Sequence, residues 1–329
     1  MTTPTRPQPA LSRDATVQAA AAALATAWDT LHRAQLDLLR ALSRTPTARA
    51  RGAAQRRRDA VRRFLDALAA FDRTARAVTE RWAARDLPLL YRDGAVASLK
   101  RAVHSVQQHA RPFEWTGRHQ STVTALSAQY YADLTTRIQE AVRRAQAFAR
   151  NAQAQARTPE GIDRKQLLAA HPLDRVVYAD QSKRTVRHWA TAALKEQATT
   201  AANTAALLYG TADLGARWFE CTDGPECGFA GHADTDHADG TIRSADDAAM
   251  YPTSHFGCVR QWTPRPDLNL APNLTSGDQA CASRTCPPSR SPSPSRPAPA
   301  RRASSSPETT SAATCAATRS SSMSAARPR

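Results

Sequence analysis

The sequence predicts a mainly α-helical protein of long helices, with a small C-terminal α+β module and a disordered basic tail. Three observations carry that prediction. Through most of the first two hundred residues, apolar side chains recur at steps of three, four and seven. Between Phe219 and Asp267, three cysteines, three histidines and many aspartates crowd into one segment flanked by two short strand-like runs. Past about Ser276 large apolar residues nearly vanish, and Ser, Arg, Pro and Ala take over.

Residues 1–13 are rich in Pro and Thr and read as disordered. Residues 14–156 form the helical region. Asp14 is placed to cap a first helix that runs to about Arg44, with Leu24, Trp28, Leu31, Leu38 and Leu42 on one stripe and Gln35 interrupting it. A second helix is predicted from Gln55 to Arg85, its stripe being Val61, Phe64, Leu65, Leu68, Phe71, Val78 and Trp82. The run RDLPLLYRDG reads as its end, because proline removes a helical donor. A shorter helix is expected near Val96–Gln108, then a loop at RPFEWTG. Ser121 is placed to cap a third long helix through Val123, Leu126, Tyr130, Leu134, Ile138, Val142 and Phe148, with a polar tail expected to fray. His32, His104, His109 and His119 stand without a partner cluster and read as surface or core histidines.

Residues 157–215 read as a connecting segment and a helix from about Ser182 to Tyr209. Residues 216–272 form the Cys/His module. Here ARWFEC reads as a strand entering a turn at Asp223-Gly224-Pro225, Ser244 and Asp247 read as the capping box of a mini-helix stopped by Pro252, and VRQWTP reads as a second strand. Residues 273–329 cannot bury enough apolar surface to offset chain entropy, so disorder is expected. Their composition suits either a native basic tail or a GC-rich gene read in a shifted frame.

The formal charge is +16, which points toward nucleic acid or another anionic surface. Yet only Lys100, Lys165, Lys183 and Lys195 are lysines among the 45 basic residues, a bias that GC-rich coding also produces. The charge is unevenly spread. Residues 220–267 carry nine acidic and three basic side chains, an acidic island in a basic chain. The Ala-rich run Gln18–Trp28 lies between Asp14 and Asp29, lacks the order of basic n-region, apolar h-region and cleavage site, and is too short to span a bilayer. A protein made in the cytoplasm, without membrane association, is expected. In that compartment thiols stay reduced, and clustered Cys and His favour metal over disulfide.

The chemistry concentrates in Cys227, His232, His255 and Cys258. Two short chelating pairs, Cys-x4-His and His-x2-Cys, are joined by 22 residues, and thiolate with imidazole suits a tetrahedral structural zinc ion. Cys221 and His237 are substitutes for either member of the first pair. The alternative is that the cysteines are small buried hydrophobes and the histidines bond to neighbouring carboxylates. DTDHADG is out of register for a calcium loop, with Asp239 where glycine belongs and Ala245 where glutamate belongs. DTDH with Asn269 and Asn273 is faintly similar to a His-metal nuclease, which sets a metal-dependent nuclease or other nucleic-acid protein of a mobile element as the alternative function. No phosphate-binding Gly-rich loop and no nucleophile with a credible base stands out, so neither an enzyme nor a small-molecule substrate is the leading expectation.

The segment DGPECGFAGH, followed by ADGTIRSADDAAMYPTSHFGCVRQWTPRPD, resembles the C-terminal module of the phage Mu F-like minor head proteins, in the form found in actinobacterial phages. The matching positions are Asp223, Gly224, Pro225, Cys227, Gly228, His232, Gly240, Arg243, Pro252, His255, Cys258 and Arg260. Asn203 fits the helix that precedes such modules, whereas Lys195 stands where the family has Arg, and Phe229 and Phe256 replace a Trp and a Pro. The likeness covers about fifty residues and leaves the first 180 unmatched. It implies a minor capsid protein that joins the portal and capsid proteins of the same phage during procapsid assembly. Such a protein is found in the host cytoplasm and then in the virion, and the basic helices of this chain are suited to face packaged DNA or the portal.

Overall fold

The computed structural model describes residues 12–43, 52–178, 182–223, 238–255, 257–271 and 274–276, and they are mainly helical. Helix α1 spans Arg13–Leu42 and α2 spans Ala53–Arg81. The cap of α1 is Ser12, whose hydroxyl accepts from Ala15 N at 3.3 Å, rather than Asp14, which lies inside the first turn. The predicted stripe of α1 is buried, and Gln35 is buried with it. Its amide donates to the His171 carbonyl at 2.7 Å, and its Oε1 lies 3.1 Å from His32 Nδ1. A polar side chain in that position is tolerated because its bonds are made within the protein. On α2, Phe64, Leu68 and Phe71 are buried as predicted, but Leu65 is 47% exposed.

The backbone does not stop at RDLPLLYRDG. It passes through one π-helical turn at Trp82–Asp86 and continues as α3, Leu87–Arg101. Pro88 stands in the first turn of α3, directly after the wider π turn, so its missing N–H and its ring are accommodated there. The indole of Trp82, fully buried, donates to Gln197 Oε1 at 2.8 Å and anchors that turn. The expected Val96–Gln108 helix is two pieces, the end of α3 and a short α4, His104–His109. Helix α5, Gly117–Gln155, starts four residues before Ser121, with Thr116 as its cap. Its polar end stays helical because Ala145, Phe148, Ala149 and Ala152 are buried along one side.

Helix α6, Arg164–Ala170, leads to β1, Arg175–Val177, which pairs antiparallel with β2, Lys183–Thr185. Helix α7, Val186–Leu208, therefore begins four residues later than Ser182 and ends in a second π-helical turn at Tyr209–Asp213. It packs on α1, α3 and α5. Ala190, Ala198, Ala201 and Ala205 are all fully buried, and these small side chains let helices approach closely. At the α3–α7 crossing a Cβ on Gly94 would lie 2.4 Å from Ala202 Cα, so only glycine fits.

The module adds a three-stranded antiparallel sheet with β3, Trp218–Thr222, between β4, Ile242–Ser244, and β5, Gln261–Pro264. Strand β4 was not legible in the sequence, being three residues with a single large apolar side chain. The mini-helix α8, Ala245–Met250, is capped by Ser244, whose hydroxyl accepts from Asp247 N at 3.2 Å, as the capping box predicts. Phe219, Cys221, Ala248 and Trp262 pack with Ala206 and Leu207 of α7 in a small second core. Among the described residues no helix is long and apolar enough to cross a membrane. The expectations for residues 1–11 and for the tail past 276 lie outside the described residues.

Candidate functional site

Three segments build the module's interior: the end of β3, the turn at residues 251–260, and the face of α7 bearing Glu196 and Asn203. These two lie seven positions apart, two helical turns, and so share a face. At its centre Arg260 and Asp223 form a bidentate pair, with Nε to Oδ1 and Nη2 to Oδ2 both at 2.7 Å, and neither side chain has any exposure. The third guanidinium nitrogen donates to the Tyr251 carbonyl at 2.9 Å, and the group sits 5.4 Å from the centre of the Trp262 ring. A planar fork with fixed donors suits this position, and lysine would not reproduce it.

Asn203 donates through Nδ2 to the carbonyls of Pro252 at 2.7 Å and Arg260 at 3.0 Å. Glu196 accepts from Gly257 N at 2.8 Å and from the Thr253 hydroxyl at 3.3 Å. Gly257 has φ +83°, which a side chain would strain. The turn bearing His255 and Cys258 is thus held on α7 by a carboxylate and an amide. Sequence reasoning noticed Asn203 and missed Glu196. The signal available was their spacing of two turns on a helix adjoining a polar loop.

Of the residues predicted to bind metal, His255 and Cys258 lie on this one turn, with Cys258 N donating to the His255 carbonyl at 3.0 Å. Cys258 Sγ accepts from Arg260 N at 3.3 Å and lies 3.3 Å from the Ser254 hydroxyl. Cys221 is fully buried in the module core, 3.5 Å from Asp223 Oδ1. Cys227, His232 and His237 lie outside the described residues. Among the described residues no group of three or more His, Cys, Asp or Glu converges to hold a metal ion.

Asn269, one of the two asparagines in the nuclease comparison, accepts from Arg217 N at 3.0 Å and donates to the Gly215 carbonyl at 2.9 Å. Both ends of its amide fasten the loop that leads into β3. Asn273 lies outside the described residues. Arg265, buried, bonds to Asp267 and Glu220 and ties β5 to β3. The aspartate and glutamate together hold its guanidinium pKa above the ordinary value.

A second polar cluster joins the helices. His119, expected to stand alone, is buried between Tyr91 and Asp213, with Nδ1 2.9 Å from the Tyr91 hydroxyl and Nε2 2.9 Å from Asp213 Oδ2. Burial pushes the Tyr91 phenol pKa well up, so the hydroxyl stays protonated. Asp213 opens on a cleft of about 750 Å³ lined also by His109, Arg111 and Glu114. The Tyr91 residue is fully buried, and the chain of bonds ties α3, α5 and the π turn after α7 together. The chain matches no family model, no curated protein and no solved structure.

Proposed function

We propose that this chain is a phage minor capsid protein of the Mu F-like type, which joins the portal and head shell during procapsid assembly in the host cytoplasm and is carried into the virion. One observation supports the reading above others: among the described residues, several that carry the resemblance interlock. Asp223 pairs with Arg260, and Asn203 holds the Pro252 and Arg260 carbonyls. Arg243 bonds to Asp247 and to the Thr241 hydroxyl. Gly240 takes φ +69° and donates to the Cys221 carbonyl. A chance likeness in residue types would scatter over the surface. A set whose members hold one another is what a shared module requires. In this reading Cys227, His232, His255 and Cys258 hold a structural zinc ion, which would fix the loop between β3 and β4 and supply no reaction.

The test is mass spectrometry of procapsids and virions purified from the induced host. Low-copy recovery of this chain with the portal supports the proposal. Its absence from every particle, with expression confirmed, overturns it. The zinc clause is tested separately by elemental analysis of the full chain. One equivalent of zinc, lost in His255→Ala, is expected, and a folded, zinc-free wild-type protein would remove that clause alone.

A further inference from the structure

We propose that the end of the helical bundle where α2 begins and α5 finishes binds the phosphate backbone of duplex DNA. Coding bias toward arginine should act on every helix alike, but the balance of charge along two helices changes sharply. Residues 53–63 of α2 carry five arginines and one aspartate, while residues 64–81 carry three of each sign. Residues 141–155 of α5 carry three arginines and no acid, while residues 117–140 carry two of each sign. The two unbalanced stretches meet at their edge, where the Phe64 ring, next after the basic run of α2, lies 5.6 Å from the Phe148 ring of α5. The facing half of α1, residues 28–42, is balanced at two and two. The largest excess of positive charge along α2 and α5 is therefore gathered at one end of the bundle by tertiary packing, while α3 and α7 carry smaller excesses of two and one.

That placement opposes folding. The first turn of α2 contains no acid, and arginines near a helix N-terminus meet the positive end of the dipole, at about 0.3–1 kcal/mol each. The C-terminus of α5 offsets part of this, though its own arginines add repulsion. Arg56, Arg58, Arg62, Arg63, Arg143 and Arg150 are exposed, and Arg62 is matched by Asp59. The other exposed residues of these two stretches are Ala, Gln and Asn, and Leu65 just beyond is a single exposed aliphatic side chain rather than the anchor cluster that a protein interface needs. The basic run of α2 rises about 16 Å, at 1.5 Å per residue. A duplex offers one phosphate charge per ~1.7 Å of axis, so a repeating polyanion suits this surface better than a discrete acidic patch. The surface would act on DNA whether or not the chain enters a virion, so this proposal and the head-assembly reading can fail separately.

The test uses the full chain and a fluorescent duplex of mixed sequence, with binding followed by anisotropy across a salt series. One variant carries Arg56→Gln, Arg63→Gln, Arg143→Gln and Arg150→Gln. A control carries Arg73→Gln, Arg81→Gln, Arg85→Gln and Arg118→Gln, which removes the same charge elsewhere. A third carries lysine at the first four positions, and circular dichroism checks that all retain their helix. The first variant is expected to bind at least about tenfold more weakly and to lose about 3–4 units of salt slope, roughly 0.9 per phosphate contact. The control and the lysine variant are expected to stay within about threefold of wild type, since the contact is one of charge. Equal weakening of both glutamine variants, or no duplex binding by wild type, would overturn the proposal. So would a change confined to self-association in sedimentation, which would assign the surface to the acidic module of a second copy.

Discussion

Arg260 brings a full positive charge into a site with no exposure, where Asp223, the Tyr251 carbonyl and the Trp262 ring are among the groups that surround it. Removing one member leaves the other buried without its bidentate partner. Asp223→Ala is expected to cost about 3–5 kcal/mol in urea denaturation, whereas changing both residues to apolar ones of similar volume should cost much less than the two single changes together. Additive losses would mean that the two groups are held independently. His171 makes a prediction about pH. Burial, and then nearby Arg144, hold its pKa below the ordinary histidine value. The neutral ring is therefore favoured by folding. Its contribution is present above about pH 6.5, the ordinary value, and is lost as pH falls through the lower folded value. Nε2 lies 2.9 Å from Asn151 Nδ2 and must accept there, which a protonated nitrogen cannot do. Amide exchange in α6, corrected for intrinsic rates, should accelerate between pH 7 and pH 5, and His171→Gln should remove that response.

Among the elements, α3 and α7 depend on each other most closely, through the crossing at Gly94 and Ala202. A methyl group at Gly94 would meet backbone atoms at 2.4 Å, and neither helix can yield locally. Gly94→Ala should therefore destabilise the protein by about 1–3 kcal/mol in thermal or chemical denaturation. Gly117→Ala, in the first turn of α5 with nothing within 4 Å of the added carbon, should be neutral or stabilising by about 0.4–1 kcal/mol. Equal effects would show that helix propensity, not the crossing, governs both positions. The elements also separate what was legible from what was not. The stripes of α1, α2 and α5 and the box that caps α8 could be read directly, since each depends on residues within a turn or two. The end assigned at RDLPLLYRDG was wrong, because a π turn anchored by Trp82 on Gln197 of α7 lets the helix run through Pro88.

At the level of the whole molecule, the module is not a self-sufficient unit. Its core is a handful of small and aromatic side chains, too few to offset the entropy of ordering the segment. The helices supply the rest. Arg101 of α3 donates to the Trp262 carbonyl at 3.2 Å, and Glu196 and Asn203 of α7 hold the 251–260 turn. A peptide of residues 214–276 should therefore lack dispersed amide signals in NMR with or without zinc. A dispersed spectrum with zinc would mean that the metal alone suffices.

The sequence by itself determined the helical class, the long amphipathic stripes, two of the three module strands, and the concentration of polar chemistry in one acidic segment. Those features rest on periodicity, capping and composition, which act over a few residues and are written locally. Tertiary structure alone decided that Asp223 meets Arg260 across 37 positions, and that Glu196 is a clasp. It also decided that Gln35 and His119 belong to the interior, and that the unbalanced halves of α2 and α5 share one end of the bundle. A buried polar group gains its partner only when packing excludes water from both, and a surface charge acquires neighbours only when helices are laid side by side. Neither condition can be read from residues close together in the chain.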